Sequence, residues 1–447
     1  MKNFPLHTAL TIVALAGMLL ATPRWIPAVK APAYDQVVTP LVQFDEQSTP
    51  LTPLVAAKVA EPMPTMAVRR RVTPTGPTLL DDDKGVLDRF YESLTRTERH
   101  QPGAVTRIVH YGDSPTTADL VTGDIRTQLQ TRYGDAGQGF ILIAKPWAWY
   151  QHHDADVTGS GWQMAPASRF ESRDGLFGLG GVSFVGGSSA HSRFKWRDPS
   201  QSHFEIFFLQ QPGGGTITVN AGHSTVARIN TDGEAKAAAF SSFTVDGGAT
   251  ALDLSAQGNV RLFGLSAEKP GPGVIYDSLG LNGASITVIS RMFQERHLAD
   301  ELRHRNPDLV IINYGTNEAD FAAFVDGPYE KELRESIRRV HAAVPEASIL
   351  LMSPMDRGHR SGPGEIETME TIPRIIAIQR RVARDTGCGF FDTFDAMGGA
   401  GTIARWYNNQ PRMVSADLIH PYPAGGKQVA TAFVRQIEAG LGRFKLR

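Results

Sequence analysis

Three residues of this chain have the types and setting for nucleophilic acyl chemistry. Ser114 follows Gly112-Asp113 at the end of the β-branched run Val105-Thr-Arg-Ile-Val-His-Tyr. Asp417 and His420 share the segment Ala416-Asp-Leu-Ile-His-Pro421. A serine hydroxyl is a weak nucleophile until a neighbouring imidazole takes its proton. That imidazole needs a carboxylate to fix its tautomer and to stabilise its charged form. Asp417 and His420, three residues apart on one short loop, can be pre-oriented against each other. The oxyanion formed at a carbonyl under attack also needs donors aimed at it. The backbone N–H groups of Ser114 and Gly283 and the side-chain amide of Asn317 are the candidates. Neither step calls for a metal or an organic cofactor.

The elements around these residues must bring them together. The run into Ser114 reads as a strand, and Leu120, Val121, Ile125, Leu129 and Tyr133 then repeat at helical steps. A strand, a tight turn and a helix place Ser114 at a carboxyl strand end, where open α/β sheets bind ligands. Asp81-Asp82-Asp83 opens an earlier helical pattern through Val86, Leu87, Phe90, Tyr91 and Leu94, which Pro102-Gly103 ends. Further along, Ile275–Gly280, the apolar run Asp308–Tyr314, Ser348–Met352 and Gly389–Phe391 read as strands. Helical patterns alternate with them, and one more closes the chain with Val429, Phe433 and Ile437. This alternation predicts an α/β fold, a three-layer α/β/α sandwich around a parallel sheet.

Between Lys145 and Gly273 the character changes. Helical periods vanish, and short β-prone runs such as Gly181–Val185, His203–Leu209, Thr216–Val219, Phe243–Val245 and Val260–Leu265 alternate with Gly, Ser and Asp. That spacing predicts a β-sandwich, inserted after the first βα unit. The glycine-rich stretch Gly134–Phe140 lacks the phosphate-cradle pattern and reads as backbone turning close to the site.

The amino terminus carries Lys2 and the apolar run Ala9–Ala21, short for a bilayer span and suited to a secretory signal or an uncleaved anchor. Many prolines follow up to residue 78, as in an extended tether. The expected organisation is a signal peptide or anchor over 1–22, a linker over 23–78, hydrolase-type α/β sequence over 79–144, the β insert over 145–273, and α/β sequence again over 274–447. This implies export to the periplasm or cell envelope, with the apolar segment as a membrane tether if it is not cleaved. Lys and Arg total 45 against 46 acidic residues, so no general electrostatic attraction to nucleic acid exists. The single cysteine, Cys388, allows no internal disulfide and no cysteine-based metal site.

Taken together the motifs resemble the SGNH (GDSL-like) hydrolase superfamily in four blocks: Gly112-Asp113-Ser114, Gly283, Gly315-Thr316-Asn317-Glu318 and Asp417-Leu418-Ile419-His420. An α/β-hydrolase reading fits poorly, because Pro115 follows the serine and has no N–H to supply to an oxyanion hole. A narrower likeness joins His110–Asp124 and Gly134–Phe140 to bacterial peptidoglycan O-acetylesterases of the Ape1 type. Those are exported proteins with a carbohydrate-binding-module-like β domain inserted after the first block. Such enzymes commonly carry His where this chain has Pro115, which leaves the triad intact and bears on substrate or acceptor preference. The resemblance implies an esterase acting on an acetylated polysaccharide, foremost the O-acetyl ester of N-acetylmuramic acid in peptidoglycan. The same triad suits an O-acetyltransferase on an envelope or exopolysaccharide. A third reading is an inactive glycan-binding protein in which the β insert does the binding.

Other residues have simpler readings. Asp113 reads as a structural turn residue, and Glu318 and Asp320 as polar residues at a helix start. His152-His153 with Asp154 and Asp156 reads as an exposed loop. Trp147, Trp149, Tyr150 and Trp162 could stack on sugar faces or pack at a domain junction.

Overall fold

Every strand end that carries a candidate site residue opens on the same edge of one sheet. The computed structural model describes residues 79–169 and 174–447. Strand β1 (Leu80–Asp81) and helix α1 (Asp88–Glu98) precede β2 (Val105–Gly112), the single-turn helix α2 (Ser114–Thr117) and α3 (Thr122–Tyr133). After a long antiparallel segment come β3 (Gly273–Gly280), α4 (Glu295–Arg305), β4 (Leu309–Asn313) and α5 (Tyr329–Ala343). The chain then forms β5 (Ser348–Met352), α6 (Thr371–Thr386), β6 (Gly389–Phe391) and α7 (Pro423–Phe444).

The sheet order is β1-β6-β5-β4-β2-β3, parallel throughout except where β1 joins β6. Chain direction along the sheet reverses at β2, with β3 on one side and β4 on the other. Such a switch point opens a crevice beyond the carboxyl strand ends. Gly112 pairs with Gly280 of β3 and with Asn313 of β4, so the loops after all three strands leave side by side.

The period-two alternation of the strands divides the core. Val310 and Ile312 of β4 join Leu298, Leu302, Leu333, Ile337, Ile372 and Ile375 of α4, α5 and α6 in one apolar cluster. Leu309 and Ile311 join Phe90, Leu94, Ile125, Leu129, Val429 and Phe433 of α1, α3 and α7 in another. The sheet is thus the middle of three layers. Its strands read as near-continuous apolar runs because both faces are covered.

Antiparallel pairing occupies the segment between α3 and β3 and begins at Gly139. A five-stranded sheet runs Ser224–Asn230, Thr216–Ala221, Ala251–Gln257, His191–Trp196, Ala155–Ser160. A second, six-stranded sheet is centred on His203–Gln210 and Val260–Glu268. Phe194, Val219 and Leu252 of the first share an apolar cluster with Phe184, Ile206 and Leu262 of the second. These sheets are the inserted β domain.

Two sequence expectations need correction. The Gly134–Phe140 loop does not approach the site. Helix α3 runs antiparallel to β2 and returns the chain to the amino ends of the strands, where Asp135 bridges to Val274. There Phe140 donates its N–H to the buried Asp277, and a Cβ on Gly139 would fall 2.5 Å from that carboxylate. The helical pattern through Ile286, Ile289, Phe293 and Leu298 is also broken. A π-turn over Val288–Met292 ends at Phe293, and α4 starts afresh with Gln294 capping the N–H of His297 at 2.6 Å.

The signal or anchor segment 1–22 and the Pro-rich stretch 23–78 lie outside the described residues. Among the described residues no helix is long and apolar enough to cross a membrane.

Candidate active site

The turn after β2 is built by steric exclusion. Gly112 sits under Thr116, whose hydroxyl would lie 2.2 Å from a Cβ placed there. Gly280 of β3 sits under the same helical turn, with the backbone nitrogen of Thr117 only 2.0 Å from a Cβ position. Two glycines therefore let α2 rest directly on the strand ends. Asp113 is extended, and its carbonyl accepts the N–H groups of Thr116 and Thr117 at 3.1 and 3.0 Å. Pro115 falls in the first turn, where a missing N–H costs nothing. Ser114 is thereby fixed at the start of α2.

The loop bearing Asp417 and His420 is equally constrained. Val414 and Pro421 form an antiparallel bridge, and Ser415 donates its N–H to the His420 carbonyl at 2.8 Å. Leu418 takes a left-handed conformation (φ 62°) and buries its side chain in the core. A left-handed non-glycine residue costs on the order of 1–2 kcal/mol, and burial of the leucine offsets it. Gly358 adds an N–H bond to the Leu418 carbonyl at 3.1 Å. That glycine opens a two-stranded hairpin, Gly358–Gly362 with Glu365–Thr368, which the sequence reading missed. Its mostly exposed, charge-rich strands leave no apolar alternation to detect.

The two loops meet. His420 Nε2 lies 2.7 Å from Ser114 Oγ, and His420 Nδ1 lies 2.7 Å from Asp417 Oδ2. Asp417 Oδ1 accepts the backbone N–H groups of Ile419 and His420 at 2.9 and 3.1 Å, and the Ser415 hydroxyl besides. Burial pushes the Asp417 carboxyl up, but these bonds and the His420 ring overcome it and hold the group well below the usual carboxylate range. Asp417 is therefore an acceptor only, so His420 Nδ1 donates to it. His420 Nε2 is left to accept from the Ser114 hydroxyl. The side chains of Asp417 and His420 keep 46% and 35% exposure, so the site is open to a bulky substrate.

The donor loops are tied together as well. Asn317 does not cap the turn after it; its amide donates to the Ala284 carbonyl at 2.7 Å. Gly283, next to Ala284, is exposed with φ 69° and open space around its Cα. Leu281 donates its N–H to the Gly112 carbonyl at 3.0 Å, which brings this loop against the Ser114 turn.

Glu318 has a larger part than a polar helix-start residue. It is 1% exposed, and its carboxylate accepts the N–H of Ile286 at 2.7 Å and of Gly315 at 3.0 Å. It pins the Asn317 loop to the Gly283 loop. Burial raises its carboxyl to about 7, against the lowering effect of those backbone bonds. Asp113 is likewise buried, and burial raises it to about 6 against a hydrogen bond with Thr316. Asp320 is exposed and pairs with Arg357 through both oxygens at 2.7 and 2.8 Å.

In the segment that follows α3, one residue departs from its sequence reading. His152 is buried, with Nε2 2.8 Å from the Tyr150 hydroxyl, and burial lowers its pKa to about 4. His153, Asp154 and Asp156 are at least partly exposed, and Lys145 pairs with Asp156 at 2.7 Å. Trp147, Tyr150 and Trp162 are core residues, whereas Trp149 is 48% exposed.

Residues 241–428 match the GDSL-like Lipase/Acylhydrolase family. That span holds Gly283, Asn317, Asp417 and His420, while Ser114 lies before it, across the β insert. No curated protein matches the chain in sequence. Among solved structures the chain is similar to a peptidoglycan O-acetylesterase, with TM-score 0.68 and 23% identity over 79% of this chain and 96% of that one. It is also similar to protein YXIM of Bacillus subtilis, with TM-score 0.33 and 12% identity over 63% of this chain and 88% of that one. A family two carbohydrate esterase from Clostridium thermocellum matches at TM-score 0.27 and 12% identity, over 63% of this chain and 99% of that one. The chain shares the fold of that peptidoglycan O-acetylesterase, and its residues 241–428 are similar in sequence to the GDSL-like lipases and acylhydrolases.

Proposed function

We propose that this protein is an exported serine esterase that removes O-acetyl groups from a cell-envelope glycan, with the N-acetylmuramic acid of peptidoglycan as the foremost substrate. The observation that carries the reading is the unbroken hydrogen-bonded row Ser114, His420, Asp417 at the sheet's switch point. The fold shared with a peptidoglycan O-acetylesterase supports the substrate class, and the open position of the row accommodates a polymer.

In this mechanism Ser114 Oγ attacks the acetyl carbonyl carbon while His420 Nε2 takes the hydroxyl proton. Asp417 stabilises the imidazolium that results. The N–H groups of Ser114 and Gly283 and the amide of Asn317 hold the tetrahedral oxyanion. As the carbon–oxygen bond to the sugar breaks, His420 returns its proton to the departing sugar hydroxyl and leaves acetyl-Ser114. His420 then takes a proton from water, whose oxygen attacks the acetyl carbon; as the bond to Ser114 Oγ breaks, His420 returns the proton to Ser114 and acetate leaves.

The test is acetate release from O-acetylated peptidoglycan by the wild type and by Ser114→Ala. Release by the wild type and its loss in the variant is the expected result. Release that survives the substitution would sink the mechanism. Acetate passed to glycan hydroxyls without net release would make the protein a transferase using the same residues.

A further inference from the structure

Beside the Gly283 loop stands an aromatic ring that the chemistry above does not use. Four large hydrophobic side chains are exposed among the described residues: Trp149, Met164, Phe321 and Leu446. Of these, Trp149 donates its indole N–H to the side-chain oxygen of Asn282 at 3.2 Å. Asn282 adjoins Gly283, so the ring stands beside the proposed oxyanion donors.

The turn that bears the ring is itself fixed. Trp147 and Tyr150 flank it in sequence and are buried, at 6% and 3% exposure. Tyr150 donates its N–H to the Trp147 carbonyl at 3.0 Å, and its hydroxyl accepts the Leu142 N–H at 2.9 Å. Gln151 donates its N–H to the carbonyl of Thr117 at 3.3 Å, fastening this turn to α2, the helix that Ser114 begins. Trp149 therefore projects from a turn pinned to both the nucleophile helix and the Gly283 loop. A fixed, half-exposed indole with its polar edge already satisfied offers an apolar face at little ordering cost. The C–H face of a pyranose ring is the partner with matching chemistry: flat, apolar on one side and hydroxylated at its rim.

Resting on the esterase reading, we infer that Trp149 is the stacking platform for a sugar ring of the glycan at the acyl-transfer site, and so a specificity-determining residue. Asn282 orients the indole and couples sugar binding to the Gly283 loop.

The experiment measures acetate-release kinetics of Trp149→Ala and Trp149→Phe on soluble O-acetylated peptidoglycan oligosaccharides. It also measures binding of the same oligosaccharides to Ser114→Ala and to Ser114→Ala/Trp149→Ala. Thermal midpoints of every variant establish folding. The alanine variant is expected to raise KM about tenfold and to weaken binding in the Ser114→Ala background by about the same factor. Phenylalanine is expected to restore most of both. A fall in kcat with KM unchanged would mean that Trp149 merely supports the Gly283 loop, and would overturn the inference. Unchanged binding beside an intact Ser114-dependent acetate release would overturn it and leave the esterase reading standing. Absence of both acetate release and glycan binding in the wild type would remove the esterase reading and this inference together.

Discussion

The side-chain amide of Asn317 is bonded to the carbonyl of Ala284, at 2.7 Å, and not to the backbone of its own turn. This bond, with that of Ile286 to Glu318, joins two loops that begin on strands flanking β2. It occupies one amide hydrogen; the mechanism proposed above assigns the other to the oxyanion.

Replacement of Asn317 by Ala is accordingly expected to lower kcat about 10²–10³-fold, the usual effect of losing one oxyanion donor. KM should move little, because the donor acts on charge that develops only in the transition state. Steady-state kinetics on an acetyl ester checks this; a rise in KM at constant kcat would place Asn317 in ground-state binding instead.

Asp417→Asn retains the shape of the triad and removes its charge. An asparagine amide can donate to His420 Nδ1 and favour the wrong tautomer, so kcat should fall about 10⁴-fold. Ser114→Ala should cost at least as much. Circular dichroism of both variants should match the wild type, and Asp417→Asn should melt somewhat lower, because the ionised Asp417 holds its own loop. A tenfold loss or less for Asp417→Asn would show that His420 takes its orientation from the loop alone.

Glu318 links stability to pH with a definite sign. Its carboxyl is raised from 4.5 to about 7 in the folded protein. The protonated form is thus favoured by folding. The associated stability is present in full below pH 4.5 and is lost as pH rises from there through 7. The shift corresponds to about 3 kcal/mol at most. Carboxyl NMR should show Glu318 titrating near 7, and Glu318→Gln should flatten the decline in thermal midpoint across this window. Titration near the ordinary glutamate value would contradict this assignment.

Gly280 supports α2 from below. A Cβ there would lie 2.0 Å from the Thr117 nitrogen, a backbone atom that cannot swing aside. Gly280→Ala should therefore destabilise the protein by about 1–3 kcal/mol, as overpacking does. It should also lift Ser114 from His420, and a displacement near 1 Å can cost about 10²-fold in rate. At Gly112 the nearest obstacle is the Thr116 side chain, so Gly112→Ala should be partly rescued by Thr116→Ala. Equal effects of the two single substitutions with no rescue would argue against this steric account.

Much of the architecture was legible without coordinates. The apolar runs of β4 and β5 show period-independent hydrophobicity because both sheet faces are covered. The amphipathic helices show their 3.6-residue period because each buries one face. The residues of the row Ser114, His420, Asp417 were legible too, since acyl chemistry demands those types and the turn glycines leave a local trace. The glycine-rich loop after α3 was misplaced because local composition does not say which end of a strand a returning helix reaches.

What the amino-acid sequence determined by itself is therefore local: element type, the turn that presents Ser114, the loop that pairs Asp417 with His420, and the chemistry those groups can perform. What only the tertiary structure decided is which groups of identical type face water and which bridge distant segments. Glu318 became a buried brace because Ile286, 32 residues earlier, supplies an N–H beside it. Trp149 is exposed while its sequence neighbours Trp147 and Tyr150 are buried, and its indole bonds to Asn282, 133 residues away. Burial and long-range hydrogen bonding are properties of the packed chain, and no residue carries them in its own chemistry.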